Sequence, residues 1–164
     1  MKKVLEDFNN IISNSELGSI ICIDCNSNVE YLKYEKAIKK YISKKDYYYV
    51  GKSKRKLFHI YSVYEELEEI IGENVDLYIK EKGLSFSRMS RPLESLSGER
   101  WRASLYIAEL LNKKILLFPW IHPEIINMYS GIWLKEELKK IVNSKVKIII
   151  PTNCGKCLDS SFFQ

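Results

Sequence analysis

The four cysteines fall into two pairs of the same spacing, Cys22-Ile-Asp-Cys25 and Cys154-Gly-Lys-Cys157. Two C-x-x-C pairs in an intracellular chain can supply four thiolates to zinc or to an iron–sulfur cluster. Geometry separates the two pairs. Gly155 gives the second pair a turn on which Cys154 and Cys157 can converge. The first pair lies in LGSIICIDC (17–25), which reads as a strand. Along an extended strand Cys22 and Cys25 would sit about 10 Å apart and face opposite ways. A shared metal on all four therefore requires the strand to break after Cys22. In the competing reading Cys22 is a core residue, the others are free thiols and no cofactor is bound. The two histidines add little. His59 lies in or beside a strand and His122 precedes Pro123 in a turn, with no Asp or Ser evident as a partner for either.

A second chemical candidate is cationic. Lys36, Lys39, Lys40, Lys44 and Lys45 are followed by Lys52, Lys54, Arg55 and Lys56, with Tyr47, Tyr48 and Tyr49 between the clusters. Basic residues beside aromatics suit single-stranded nucleic acid. A solvated helix face followed by a Tyr-rich strand gives the same pattern. The net charge of +5 is spread along the chain rather than gathered on one segment, which favours the second reading.

The elements that must position these residues follow from periodicity. Apolar runs at 17–25, 114–118 and 145–150 read as buried strands, the last two closed by Pro119 and Pro151. DYYYV (46–50) reads as another strand. Helical spacing covers 29–43, 62–71, 74–82, 98–112 and 132–143, and Ser62 with Glu65 forms a capping-box signature. Buried strands alternating with helices predict an α/β domain with a mainly parallel sheet. In such sheets ligands sit beyond the carboxyl ends of the strands, here near Asp24-Cys25, Pro119-Trp120 and Thr152-Asn153. The chain, 164 residues long, suits one domain (1–164), and no apolar run is long enough to span a bilayer. The charged start, MKKVLEDFNN, is unlike a signal peptide, so a cytoplasmic protein is expected.

The ordered pieces resemble an ATP-binding-cassette (ABC) ATPase. SLSGERWRASLYIAELLNKKILLF (95–118) is similar to the family's signature segment, its following helix and the Walker B strand. YSVYEELEEII and KGLSFSRMSRPLESLSGER resemble the helical subdomain and the approach to the signature. LKEELKKIVNSKVKIIIPTN resembles the lead into the switch histidine, and VLEDFNNIISNSELGSIICI the lead into the Walker A loop. The resemblance implies a P-loop NTPase-like sheet flanked by helices, with a small helical subdomain at about 61–93 and a trimmed β subdomain.

The residues that bind and hydrolyse ATP in that family are missing. A P-loop needs glycines to expose backbone N–H groups to phosphate, then Lys and Ser/Thr. No glycine occurs between Gly18 and Gly51, and a gapless match puts Glu30 and Tyr31 where the last Gly and the Lys belong. Lys33 comes two residues late. Asp24 and Glu30 would face a polyanion; one like-charge pair at about 4 Å costs on the order of 4 kcal/mol at an effective dielectric near 20. Where Walker B carboxylates belong the chain has Pro119 and Trp120. Lys52 replaces the expected glutamine, Asn153 the switch histidine, and Leu96-Ser97-Gly98-Glu99 is one glycine short of the signature.

The resemblance thus implies a non-catalytic ABC-like protein that works through contacts. Its partners would be a second copy, an intact ABC-type ATPase or a membrane permease, and the last would bring it to the membrane periphery. The implied surfaces are the signature-like face, Ser97, Gly98, Glu99 and Arg100, and a partner groove around Tyr61, Tyr64, Phe86 and Met89. The alternatives are a nucleic-acid-associated ABC-like protein and a divergent but active ATP-binding subunit.

Overall fold

A computed structural model describes residues 10, 12, 14–16, 18–25, 27–95, 99–120, 136–138, 140 and 145–152. In chain order its elements are β1 (Ile20–Asp24), α1 (Asn28–Tyr41), β2 (Tyr47–Tyr49), β3 (Arg55–Lys56), β4 (His59–Ile60), α2 (Val63–Ile71), α3 (Val75–Glu81), α4 (Phe86–Met89), α5 (Glu99–Leu110), β5 (Ile115–Leu117) and β6 (Lys147–Thr152). Single 3-10 turns occupy Gly72–Asn74 and Leu93–Ser95. Of the helix expected at 132–143, Glu136–Leu138 and Lys140 are helical and the rest lies outside the described residues. The chain divides into two compact units, Met1–Tyr48 with Lys113–Gln164, and Tyr49–Asn112. The second includes the expected helical segment and extends beyond it on both sides.

In the first unit the sheet order is β1-β6-β5-β2. β1 runs parallel to β6, from Ile20 opposite Ile148 to Asp24 opposite Thr152. β5 runs parallel along the other edge of β6, with Ile115 opposite Lys147. For β1, β6 and β5 this is the order that the family resemblance implies. Ile148, Ile149 and Ile150 are buried, as are Ile115, Leu116 and Leu117. Such strands, apolar on both faces, are the mark of a covered parallel sheet.

Pro151 departs from expectation. It lies within β6, opposite Ile23, rather than ending the strand. The N–H groups along β6 alternate in direction: Lys147 donates to Lys114 O on the β5 side and Ile148 to Ser19 O on the β1 side. By the same alternation the N–H that Pro151 lacks would point towards β5, whose ladder has ended at Leu117. No ladder bond is lost.

α1 begins at a Ser27 cap, whose Oγ accepts the Glu30 N–H at 3.2 Å. Glu30 in the first turn and Lys39 and Lys40 in the last complement the helix dipole. Tyr31 and Ile38 point into the core, while Lys33, Lys36, Lys39 and Lys40 are exposed. The first basic cluster is therefore the solvated face of a helix.

In the second unit Val63, Leu67, Val75, Ile79, Leu84, Met89 and Leu93 are buried. α5 is buried at Trp101 and at every position from Ala103 to Ala108. A helix buried on nearly all sides forms the centre of its unit. Ser104 is fully buried on it and accepts the Gly51 N–H at 2.6 Å. Ser53 Oγ accepts the Leu93 N–H at 2.6 Å, and the buried Glu66 carboxylate accepts the Lys54 N–H. These three bonds anchor segment 51–54, which leads into the β3–β4 hairpin. The strand expected in or beside His59 is β4, and its partner β3 carries no sequence signal for a strand.

The capping box is present. Ser62 Oγ accepts the Glu65 N–H at 3.2 Å, and Glu65 Oε2 accepts the Ser62 N–H at 2.7 Å. The hydrogen bonds from Ser62 hold the Glu65 carboxyl below its ordinary range. That stabilisation is present above the usual carboxylate pKa and is lost as pH falls through the lowered folded value. Ser62→Ala should cost about 1 kcal/mol at neutral pH. Urea denaturation should show the gap from wild type narrowing in acid.

Candidate functional site

The carboxyl ends of β1, β6 and β5 are where this architecture places a ligand. Only Cys25, Asn26 and Ser27 separate β1 from α1, and Ser27 is already the helix cap. A phosphate-cradling loop spans eight residues from its first glycine to its Ser/Thr and turns several N–H groups inward. The three residues here include no glycine and fall short of that length.

Beyond β5 the chain runs through Phe118, 1% exposed, to Pro119 and Trp120. Trp120 Nε1 donates to the Cys25 carbonyl oxygen at 2.9 Å. An indole thus ties the end of β5 to the end of β1, where Walker B carboxylates would be expected to face the phosphate loop. The side-chain chemistry at this end is aromatic and neutral on β5. Asp24 and Glu30 are the carboxylates on the β1–α1 side.

Tyr31, at the position matched to the P-loop lysine, is 3% exposed. Its hydroxyl is buried without a hydrogen-bond partner among the described residues. Burial and then the Glu35 carboxylate push its pKa up, so the phenol stays neutral. Lys33 is exposed on α1.

β1 continues through Cys22 to Asp24 without a break. Ile21, Ile23 and Cys25 are buried, whereas Cys22 and Asp24 are exposed on the other face. Strand alternation therefore takes Cys22 away from Cys25, and a four-cysteine site is corrected on this point. Burial, then Glu30 and Asp24, push the Cys25 thiol up to about 12, which opposes thiolate formation. Among the described residues no three His, Cys, Asp or Glu side chains gather as a metal site. Cys154 and Cys157, like Asn153 and His122, lie outside the described residues.

The two expected interaction surfaces lie in the second unit. Ser97 and Gly98 are outside the described residues. Glu99 opens α5 and pairs with Arg88 at 3.5 Å, and the Arg100 guanidinium lies 5.6 Å from the Trp101 ring. Tyr61 and Tyr64 are half-buried and Phe86 is 48% exposed. The Tyr64 hydroxyl donates to Asp76 Oδ1 at 3.0 Å. Met89 is fully buried and cannot line a surface groove. It turns inward with Leu84 and Leu93, so the sequence expectation for it is corrected to core packing. Lys52, at the expected glutamine position, has its ammonium 5.0 Å from the Tyr49 ring centre.

Solved structures share this architecture. One is cbiO1 from Clostridium perfringens, part of the ABC transporter complex cbiONQ, at 18% identity and a TM-score of 0.52, covering 84% of this chain and 68% of that one. Another is an ATP binding subunit of an ABC transporter, at 12% identity and a TM-score of 0.53, covering 84% and 69%. The fold is ABC ATPase-like. No protein-family model and no curated protein matches the sequence. On this ABC ATPase-like frame, the Trp120–Cys25 bond is the feature that sequence matching missed. A tryptophan directly after Phe-Pro at a strand's carboxyl end was its only local signal.

Among the described residues no helix is long and apolar enough to cross a membrane. Leaving a buried hydroxyl without a partner costs about 1–3 kcal/mol. Tyr31→Phe should therefore stabilise the protein, by about 1 kcal/mol in chemical denaturation. A loss of stability would mean that the hydroxyl is satisfied.

Proposed function

We propose that this chain is a non-catalytic ABC ATPase-like subunit that acts through protein contacts. The observation that carries the reading is the Trp120 indole bonded to the Cys25 carbonyl across the sheet end. The three-residue β1–α1 link and the buried Tyr31 at the matched lysine position add to it. Phosphoryl transfer depends on positioned cations and on carboxylates that hold magnesium. Here the corresponding positions carry a phenol, a proline and an indole. The partner is a second copy, an intact ABC-type ATPase or a membrane permease, by analogy with similar structures that belong to ABC transporter complexes. No metal step enters this function.

Calorimetry with Mg-ATP should show no saturable micromolar site, and ATP turnover should match a buffer blank. A tight saturable isotherm would establish the divergent-ATPase reading instead.

Association then runs through the second unit. Arg100 at the start of α5, the half-buried Tyr64 and the exposed Phe86 are of the types that carry interface energy. Arg100→Glu and Tyr64→Glu should each weaken association at least about tenfold, roughly 1.4 kcal/mol, with circular dichroism unchanged. Analytical ultracentrifugation and pull-down measure this. A strictly monomeric protein whose pull-down neither change affects would overturn the reading.

A further inference from the structure

The β3–β4 hairpin plays no part in the function proposed above. Arg55 pairs with Ile60 and Lys56 with His59, leaving Leu57 and Phe58 as a two-residue turn. Leu57 is 93% exposed, Phe58 is 104% exposed, and the neighbouring Ile60 is also exposed. The turn itself does not call for these residues. Leu57 has φ of 53°, a left-handed conformation that favours glycine and is strained for leucine. Two large apolar side chains therefore stand in water where turn chemistry favours small polar ones.

The stems are cationic. From Gly51 to Ile60 the chain carries Lys52, Lys54, Arg55 and Lys56 and no acid. Lys54 pairs with Glu69, Arg55 with Glu94 at 3.1 Å, and His59 with Glu65 at 3.1 Å. These pairs are exposed, so they are weak and can exchange for other anions. Lys56 is exposed and has no ion pair among the described residues.

We propose that this hairpin tip is an anchor for an anionic lipid surface. Leu57 and Phe58 enter the boundary between headgroups and acyl chains, while Lys54, Arg55 and Lys56 reach back to lipid phosphates. Long cationic side chains keep their charge at the headgroup level while their stems stay apolar. An apolar tip alone would suit a protein pocket, and a basic stem alone would suit nucleic acid. The two chemistries in consecutive residues match a bilayer, where an apolar layer lies directly beneath an anionic one. Binding through one tip is weak, reversible and screened by salt.

The test is co-sedimentation of the full chain with two kinds of vesicle: phosphatidylcholine mixed with anionic phosphatidylglycerol, and phosphatidylcholine alone. The chain should partition to the mixed vesicles, less to the neutral ones, and less as salt rises. The double variant Leu57→Gly with Phe58→Ser should lose at least about tenfold in partitioning, about 1.4 kcal/mol. Its melting temperature should hold or rise, because glycine relieves the positive φ. Lys56→Glu should weaken binding to mixed vesicles and leave binding to neutral ones unchanged. With Phe58→Trp, the added indole emission should shift to the blue on mixed vesicles and be quenched by brominated lipid. Partitioning that ignores the double variant, or indole emission that stays water-like at saturating vesicle, would overturn the proposal. So would a solution dimer that the double variant dissociates without any lipid binding, or a preference for an oligonucleotide over the vesicles.

Discussion

The parallel ladder between β1 and β6 is the constraint on which the rest of the first unit depends. It joins the chain's early apolar run to its late one and leaves β6 flanked by β5 on its other edge. Because all three strands run the same way, their carboxyl ends lie together, bringing Trp120 within hydrogen-bond reach of Cys25. Remove the ladder and neither the sheet end nor the indole contact exists. In the second unit α5 has the corresponding role. Its buried Ser104 holds Gly51 and its apolar surface fills the unit's centre.

At the sheet end, chain length and chemistry agree. The β1–α1 link is three residues long, and beside it the Trp120 indole meets the Cys25 carbonyl. The polar atoms involved, the indole N–H and the Cys25 carbonyl, satisfy one another. A part-buried donor and acceptor paired in this way add order without charge. Tyr31 is the exception, its hydroxyl carried into the core on a helix whose other face is solvated lysine.

Much of the fold was legible in the sequence because its signals are local. Apolar runs marked β1, β5 and β6, the Ser62–Glu65 pair marked the start of α2, and lysine spacing marked the outer face of α1. The strand order was legible through the family resemblance. What escaped depended on distant partners. Pro151 looked like a terminator because the sequence does not show that β5 ends two residues earlier in register. Met89 looked like a surface residue because a four-residue helix has too little periodicity to reveal its inward side. β3, filled by Arg55 and Lys56, has none of the β-branched residues that usually mark pairing. The Trp120–Cys25 contact joins residues far apart in the chain, so no local window contains it.

The division into units also sets an order of events for the growing chain. The second unit is one continuous stretch, Tyr49–Asn112, and its contacts can close as soon as that stretch has emerged. The first unit is split around it. Ile20 of β1 must wait for Ile148 of β6, the most distant pairing in the sheet and the most demanding in closure entropy. Where the stretch leaves and re-enters, Lys114 and Ile115 both donate to the Asp46 carbonyl, so its two ends are stitched side by side. A nascent chain would therefore complete its helical insert early and hold an unpaired, isoleucine-rich β1 until β6 has emerged. During that interval β1 is the segment most in need of a chaperone.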